Sequence, residues 1–437
     1  MKQQYDSYKP SGIDWIGDIP SHWKAMPLKR QGTMNTGLTF TKADLVECGD
    51  AVVSYGQIHS SKNDQVNLTE DLVRYIPKSI SNVSALVPQG SFIFADTSED
   101  LEGCGNAAYN NSDRVLYAGY HTIILRRKNI GGKYLAYLFQ TDTWRSQIRS
   151  RVSGVKVYSV TQAILATTSI ILPPLAEQEA IAAWLDEKCQ EIDAAIAKVD
   201  REIELIDELK QSEISRVVTR GLNPDAPLRP SGIDWIGDIP SHWKCIKIKH
   251  LSPVLRGASP RPIDDPKYFD ENGEFSWVRI ADVTASERYL EITSQRLSTL
   301  GASLSVKRYP GDLFLSIAGT VGKPIITRIK CCIHDGFVWF PLLKINPEYL
   351  YYVFMTGQPY RGLGKFGTQL NLNTDTVGNI FIPLPPSSEI ELIVRFLDKK
   401  CAEIDELKAK LTKKRETLTE LRQSIISEVV TGKRKVI

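Results

Sequence analysis

Two stretches of this 437-residue chain interleave aromatic residues with basic and hydrogen-bonding side chains. One holds Tyr55, Gln57, His59, Ser60, Lys62 and Asn63, the other Arg256, Arg261, Trp277 and Arg279. Arg, Lys, Asn and Gln are the side chains that make bidentate contacts with base edges in DNA, and Arg and Lys also take phosphates. His121 and His334, each beside an apolar run, stand at what look like matching places. Two glycine-led loops add Lys156 and Tyr158 (GVKVYS, 154–159) and Thr368, Gln369 and Asn371 (GTQLNLN, 367–373). Glycine there lets backbone approach a ligand. Taken singly, each of these is a solvated surface position, and each histidine a core or turn position; together they offer a nucleic-acid surface.

The chemistry on offer is binding. The segment Gly319-Thr-Val-Gly-Lys323 is too short for a phosphate-cradling P-loop and lacks the following Ser or Thr. The sequence has no G-x-S-x-G, H-E-x-x-H or Rossmann glycine run. An aminomethyltransferase would show Asn/Asp-Pro-Pro-aromatic, which neither Asn346-Pro347-Glu348 nor Asn223-Pro224-Asp225 fits. We read the chain as non-catalytic.

The elements that must hold these loops come in two copies. SGIDWIGDIPSHWK occurs letter for letter at 11–24 and 231–244, an offset of 220. LPPLAEQEAIAAWLDEKCQEID, from Leu172, aligns without gaps to LPPSSEIELIVRFLDKKCAEID, from Leu384, at an offset of 212. The chain is therefore an internal duplication, each unit reading box, variable head, Pro-Pro, long helix. In the box, Trp15, Ile16, Ile19 and Trp23 predict a small apolar clip. Within the first head, DAVVSY, GSFIFAD and YHTIILRR read as strands and KYLAYLFQTDTWRSQI as helix. FSWVRI, GDLFLSI, FVWFPLL and EYLYYVFM repeat that order in the second. The matches Gly90 with Gly311, His121 with His334, YLAYLF with YLYYVF and Gly154 with Gly367 predict one α/β or α+β template for both heads.

Glu177 to Thr219 carries no Gly or Pro, and Leu185, Cys189, Ile192, Ile196, Val199, Ile203 and Ile206 fall at 4-3 spacing, a coiled-coil seam. Leu397, Cys401, Ile404, Leu407, Leu411, Leu418, Leu421 and Ile425 predict a second seam. At 1.5 Å per residue each helix is a rod of roughly 60 Å. The two seams are most simply buried against each other, antiparallel. The N-terminal box would then sit by the C-terminal end of the second helix, the two termini being neighbours, with a head at each end of the rod and a pseudo-twofold between them.

Apolar content of 42% and charge of 24% are ordinary for a soluble globular protein. The first ten residues carry no apolar signal-peptide core, and seven cysteines without paired spacing predict buried thiols in a reducing cytoplasm. Scattered histidines and cysteines predict no metal site. The net charge of +3 is uneven: 177–220 holds six basic and twelve acidic residues, and 389–433 ten and nine, leaving +8 mostly on the heads. Positive heads point to a polyanion.

With boxes, Pro-Pro helix starts and duplication assembled, the chain closely resembles the DNA specificity subunit of type I restriction–modification systems. The IPSHWK boxes, LPPLAEQEAIAAWLD at 172–186 with its repeat, and AGTVGKPI at 318–325 carry the resemblance. That last segment adds Thr320 and Lys323 to the second head's candidate DNA contacts. Glu389-Ile390 departs from the usual Glu-Gln. The resemblance implies a first target-recognition domain at 1–172, a conserved helix at 173–221, a second recognition domain at 222–383, and a second helix with basic tail at 384–437. It further implies a bipartite asymmetric double-stranded DNA target, with helices that fix its spacer and dock two methyltransferase (modification) subunits. S-adenosylmethionine, ATP and Mg²⁺ would belong to those partners and to restriction/translocase subunits. Two alternatives remain open: a coiled-coil scaffold whose heads bind proteins, and a stand-alone methyltransferase or nuclease.

Overall fold

The structure, a computed structural model, describes residues 4–127, 132–360 and 372–436. Contacts gather the chain into two units, residues 1–199 with 413–437 and residues 200–412. Both boundaries fall inside the long helices, Leu175–Arg220 and Ser387–Val430, so each unit owns the start of one helix and the end of the other. The helices begin just after their Pro-Pro pairs, where proline cannot continue a strand ladder. They stop at Gly221 (φ 73°) and Gly432 (φ 72°), left-handed positions that suit glycine at a helix C-terminus.

Within each unit the helices pack antiparallel. In the first, Leu185 and Cys189 share a core with Ile426, Val429 and Val430, and Arg422 Nε donates to Asp193 Oδ1 at 2.8 Å. In the second, Lys408 meets Asp207 at 2.7 Å and Lys210 meets Asp405 at 2.6 Å, numbers rising on one helix as they fall on the other. The seam of the second helix differs from the sequence expectation. Leu407 and Leu421 are 49% and 45% exposed. A strict 4-3 step from Leu397 through Cys401 and Ile404 reaches Lys408, Leu411, Arg415, Leu418 and Arg422 instead. Basic residues thus recur every seventh position, as do Asp193, Asp200 and Asp207 on the first helix. Charges at such positions select register and orientation.

The heads are mixed sheets on one frame. The strand after the box, Lys24–Pro27, pairs antiparallel with Ser169–Leu172 just before the Pro-Pro, and Lys244–Lys247 pairs likewise with Phe381–Leu384. Each head's two ends are thereby tied together. Between them, the first head builds a four-stranded antiparallel sheet in the order Gly32–Thr36, Thr122–Arg127, Phe92–Ala95, Ala107–Tyr109. A second sheet pairs Asp50–Val53 with Leu116–Ala118 in parallel. The second head has a five-stranded sheet, Leu255–Arg256, Phe337–Trp339, Leu313–Ser316, Pro324–Thr327, Tyr289–Leu290, and a four-stranded one. KYLAYLFQTDTWRSQI is two helices, Lys133–Phe139 and Asp142–Arg149, because the Thr141 side chain accepts from Trp144 N and starts the second.

The boxes join heads to helices. In the first, Ile16, Ile19 and Trp23 are buried, while Trp15 is half-exposed, so the apolar clip has three members. Trp23 Nε1 donates to Glu177 Oε1 at 3.1 Å, and His22 Nε2 lies 2.8 Å from Glu177 Oε2. The second box repeats both contacts on Glu389, at 2.9 Å and 2.7 Å. Opposite these contacts, Gly432 abuts Pro20 and Gly221 abuts Trp243, so closely that a Cβ would clash. Tyr8 Oη donates to Gly432 O at 3.2 Å, and the two ends of the chain are neighbours in the first unit. One helix of each head, Lys133–Phe139 in the first and Pro347–Met355 in the second, completes the joint. Tyr134 Oη donates to Val430 O and Tyr137 Oη to Asp186; Tyr349 donates to Val218 O and Tyr352 to Asp398.

All seven cysteines are free thiols; Cys48 is exposed, contrary to the buried-thiol expectation, whereas Cys104, Cys189, Cys331 and Cys332 are buried. Among the described residues no helix is long and apolar enough to cross a membrane.

The Asp193–Arg422 pair gives a direct test of helix register. Asp193→Arg or Arg422→Asp alone should lower stability by about 1 kcal/mol, and the double reversal should recover most of that loss. A denaturant double-mutant cycle measures it, and simple additivity would show that the pair does not set register.

Candidate nucleic-acid interface

In the first head, the loops that leave the sheet beyond Thr36 and Ala95, and the turn that precedes Thr122, meet at one end. Ser54 caps the short helix Tyr55–Ile58, with Gln57 Oε1 accepting from Ser54 N at 3.1 Å. That helix delivers His59 beside the loop after Ala95. His59 Nε2 lies 2.8 Å from Thr97 O, and Asn106 Nδ2 lies 3.2 Å from Nδ1, a pattern that fits an imidazole protonated at Nε2. His121 is exposed, adopts φ 54°, sits 3.3 Å from Asp96 and meets the Tyr55 ring edge-on at 5.5 Å between centroids. Both histidines line an open cavity of about 840 Å³ together with Gln65, Asn106, Arg145 and Val157. Its lip carries Glu99, Asp100 and Glu102.

The remaining candidates of this head divide by what their polar atoms hold. Lys156 is exposed on the loop that carries Val157, and Tyr158 pairs with Ser98 in a short ladder. Lys62 is exposed and pairs with Asp71 at 3.1 Å; Ser60 Oγ accepts from Lys62 N. Asn63 donates to Ile58 O and Ala107 O, at 2.8 and 2.9 Å, and so pins two loops together. Arg145, absent from the sequence candidates, is buried and donates to Phe139 O and Gln65 Oε1; burial, then the neighbouring Arg149, pushes its pKa down to about 10.

In the second head the same end is built around Asp335. Arg256 Nε donates to Asp335 O at 2.5 Å, Arg261 Nη2 to Asp335 Oδ2 at 2.9 Å, and Ser259 Oγ to Oδ1 at 3.2 Å. Burial works to raise the Asp335 pKa, but the Ser259 hydrogen bond and the Arg261 and Arg256 charges outweigh it and hold it below the usual carboxylate range. Arg279 bonds Ser294 and lies 3.8 Å from Asp282; Thr320 Oγ1 is 2.7 Å from Thr284 Oγ1. Lys323 donates to Thr284 O and Ser286 O, a positioning role for the adjoining turn, and burial pushes its pKa down. His334 is mostly buried against Phe337 and Trp277, and its Nδ1 accepts from Gly336 N at 2.8 Å. Thr368, Gln369 and Asn371, with the Gly154–Gly367 match, lie outside the described residues.

Strand register corrects one match between the heads. Thr122 stands opposite Ala95, and Phe337 opposite Ser316. Gly37 N donates to Thr122 O as Gly257 N does to Phe337 O. The residue before each strand, His121 or Gly336, is therefore the equivalent one, and His334 lies two residues earlier. The two histidines are not counterparts.

Residues 20–205 and 240–416 match the profile of the type I restriction modification DNA specificity domain. These two stretches take in both heads and most of both long helices. The chain belongs to this family. It is 24% identical to the putative type I restriction enzyme MjaX specificity subunit of Methanocaldococcus jannaschii over 96% of each chain. It is 22% identical to the EcoKI specificity subunit of Escherichia coli K12, over 95% of this chain and 90% of that one. Its fold is similar to a chain from a structure of type I R-M complex assembly and conformational transition, with TM-score 0.72 at 20% identity, covering 94% of this chain and 98% of that one. The crystal structure of the HsdS subunit from Thermoanaerobacter tengcongensis matches at TM-score 0.51 and 21% identity, over 95% and 98%. As a specificity-family chain it carries two heads with different corners, Tyr55, Tyr120 and His121 in the first and Arg256, Arg261 and Asp335 in the second. Sequence reasoning missed Asp335, Gln65, Asn106 and the acidic lip; of these, only Asp335 had a signal, its place directly after His334.

Burial holds His334 below the ordinary histidine pKa. As pH falls, the unfolded chain therefore takes the proton before the folded one, so the second unit should lose stability below about pH 6.5. In urea melts, His334→Gln should reduce that slope; an unchanged slope would mean that other groups carry it.

Proposed function

We propose that this specificity-family chain reads a bipartite, asymmetric DNA target, one half per head, and docks two methyltransferase subunits. The observation that carries this reading is one joint used twice: His-Trp on a helix-starting glutamate and Tyr-Asp behind it, bearing two unlike loop ends. A repeated frame with different recognition surfaces is what an asymmetric target requires. His59, Lys62, His121, Lys156 and Tyr158 are the proposed contacts of the first head; Arg256, Arg261, Arg279 and Thr320 are those of the second. Gln57, Asn63, Lys323 and His334 hold the loops in place. The subunit would be non-catalytic, with no cofactor of its own. S-adenosylmethionine would lie on the methyltransferase partners, and ATP and Mg²⁺ on restriction subunits.

The helices would set the spacer. Inserting one turn, roughly four residues or 6 Å, in both helices should lengthen the spacer by about two base pairs and leave both half-sites unchanged. An unaltered spacer would end that idea. Binding by the assembled complex should also weaken steeply with salt, and Lys156→Ala should reduce the slope of log K against log salt by about 1. Salt-insensitive association would favour heads that bind protein.

A further inference from the structure

Resting on that reading, we infer that Arg256 and Arg261 read a guanine in the second head's half-site, with Asp335 as their positioning residue. The corner between the loop after the Leu255–Arg256 strand and the turn before Phe337 occupies the same place in the template as the corner between Gly37 and Thr122. In the first head that corner is aromatic: Tyr120 packs edge-on against Phe40 at 5.1 Å and Tyr55 at 5.6 Å between centroids. In the second it holds two guanidiniums drawn to one residue.

What each arginine leaves over decides the chemistry. Arg256 uses Nε on the Asp335 carbonyl and Arg261 uses Nη2 on the Asp335 carboxylate, and these are the only hydrogen bonds their side chains make among the described residues. Each keeps further N–H donors, and both side chains are exposed, Arg261 by 74%. Arg126 in the first head contrasts with them: its whole Nε–Nη2 edge is taken by the carbonyls of Leu86, Val83 and Ser84. A guanidinium held at one donor and free at others is oriented before it binds, which lowers the entropy cost of a two-point contact. Guanine offers two acceptors, O6 and N7, on its major-groove edge, and arginine is their commonest bidentate partner. A phosphate also offers paired acceptors, so the test must separate base from backbone.

Duplexes selected by the assembled complex from a random library give its target, in which guanines are then replaced singly by 7-deazaguanine, lacking N7. One guanine should exist where this change weakens binding about ten-fold for the native complex and has little effect on complexes carrying Arg256→Ala or Arg261→Ala. Arg261→Lys, which keeps charge but not the fork, should behave as alanine does there while binding unrelated DNA normally. Asp335→Asn should reduce discrimination of G from A at that position alone. Losses that are the same in native and variant complexes at every guanine would assign the arginines to phosphates and overturn the inference, with the proposed function standing. Failure to select any target would overturn both.

Discussion

Each unit depends on a carboxylate at the first turn of a long helix. Glu177 is the acceptor for Trp23 and Tyr5 and the partner of His22, and its side chain is only 10% exposed. A carboxylate so enclosed would be costly without hydrogen bonds, and the helix N-terminus further favours its charge. The box is thus fixed to the start of one helix by polar contacts and to the end of the other by the packing of Gly432 on Pro20 and Trp23. Glu389, His242, Trp243 and Gly221 repeat the arrangement. Antiparallel helices make this possible, since only then does one box meet a helix start and a helix end together.

This joint explains why some residues recur and others do not. Tyr134 and Tyr137, like Tyr349 and Tyr352, face the helices and bond the same two features, a terminal carbonyl and an early aspartate. Removing the hydroxyl of Tyr134 or Tyr349 would leave a buried terminal carbonyl unmet, which costs about 1–3 kcal/mol, whereas Asp186 and Asp398 would keep Lys133 and Arg288 as partners. At the far ends of the sheets no such contact is required. There the chain carries an aromatic and histidine corner in one head and an arginine–aspartate corner in the other, on the same backbone hydrogen bond from a glycine.

The frame was legible because it is written twice, and periodicity located the long helices and most central strands. Contacts within the frame were not legible: His22 and Glu177 are both in repeated text, yet nothing local links residues 155 positions apart. Apolar character alone places Leu407 and Leu421 in the seam, whereas spacing places Lys408 and Arg422 there, paired with Asp207 and Asp193. At the loop ends residue type does not show which donors are already engaged. Asn63 and Lys323 are the types that contact DNA, but their donors meet backbone carbonyls of their own head. His121 and His334 looked equivalent because both precede a strand, and only the strand register separates them.

The central claim is that one repeated joint presents two different readers to one DNA target. Single-molecule mapping of adenine methylation, in cells expressing this chain with a methyltransferase partner and in cells lacking the chain, tests it most directly. The account predicts a motif of two unlike short halves separated by a fixed gap, present only when the chain is. An identical methylome in both, with the partner active, would contradict it.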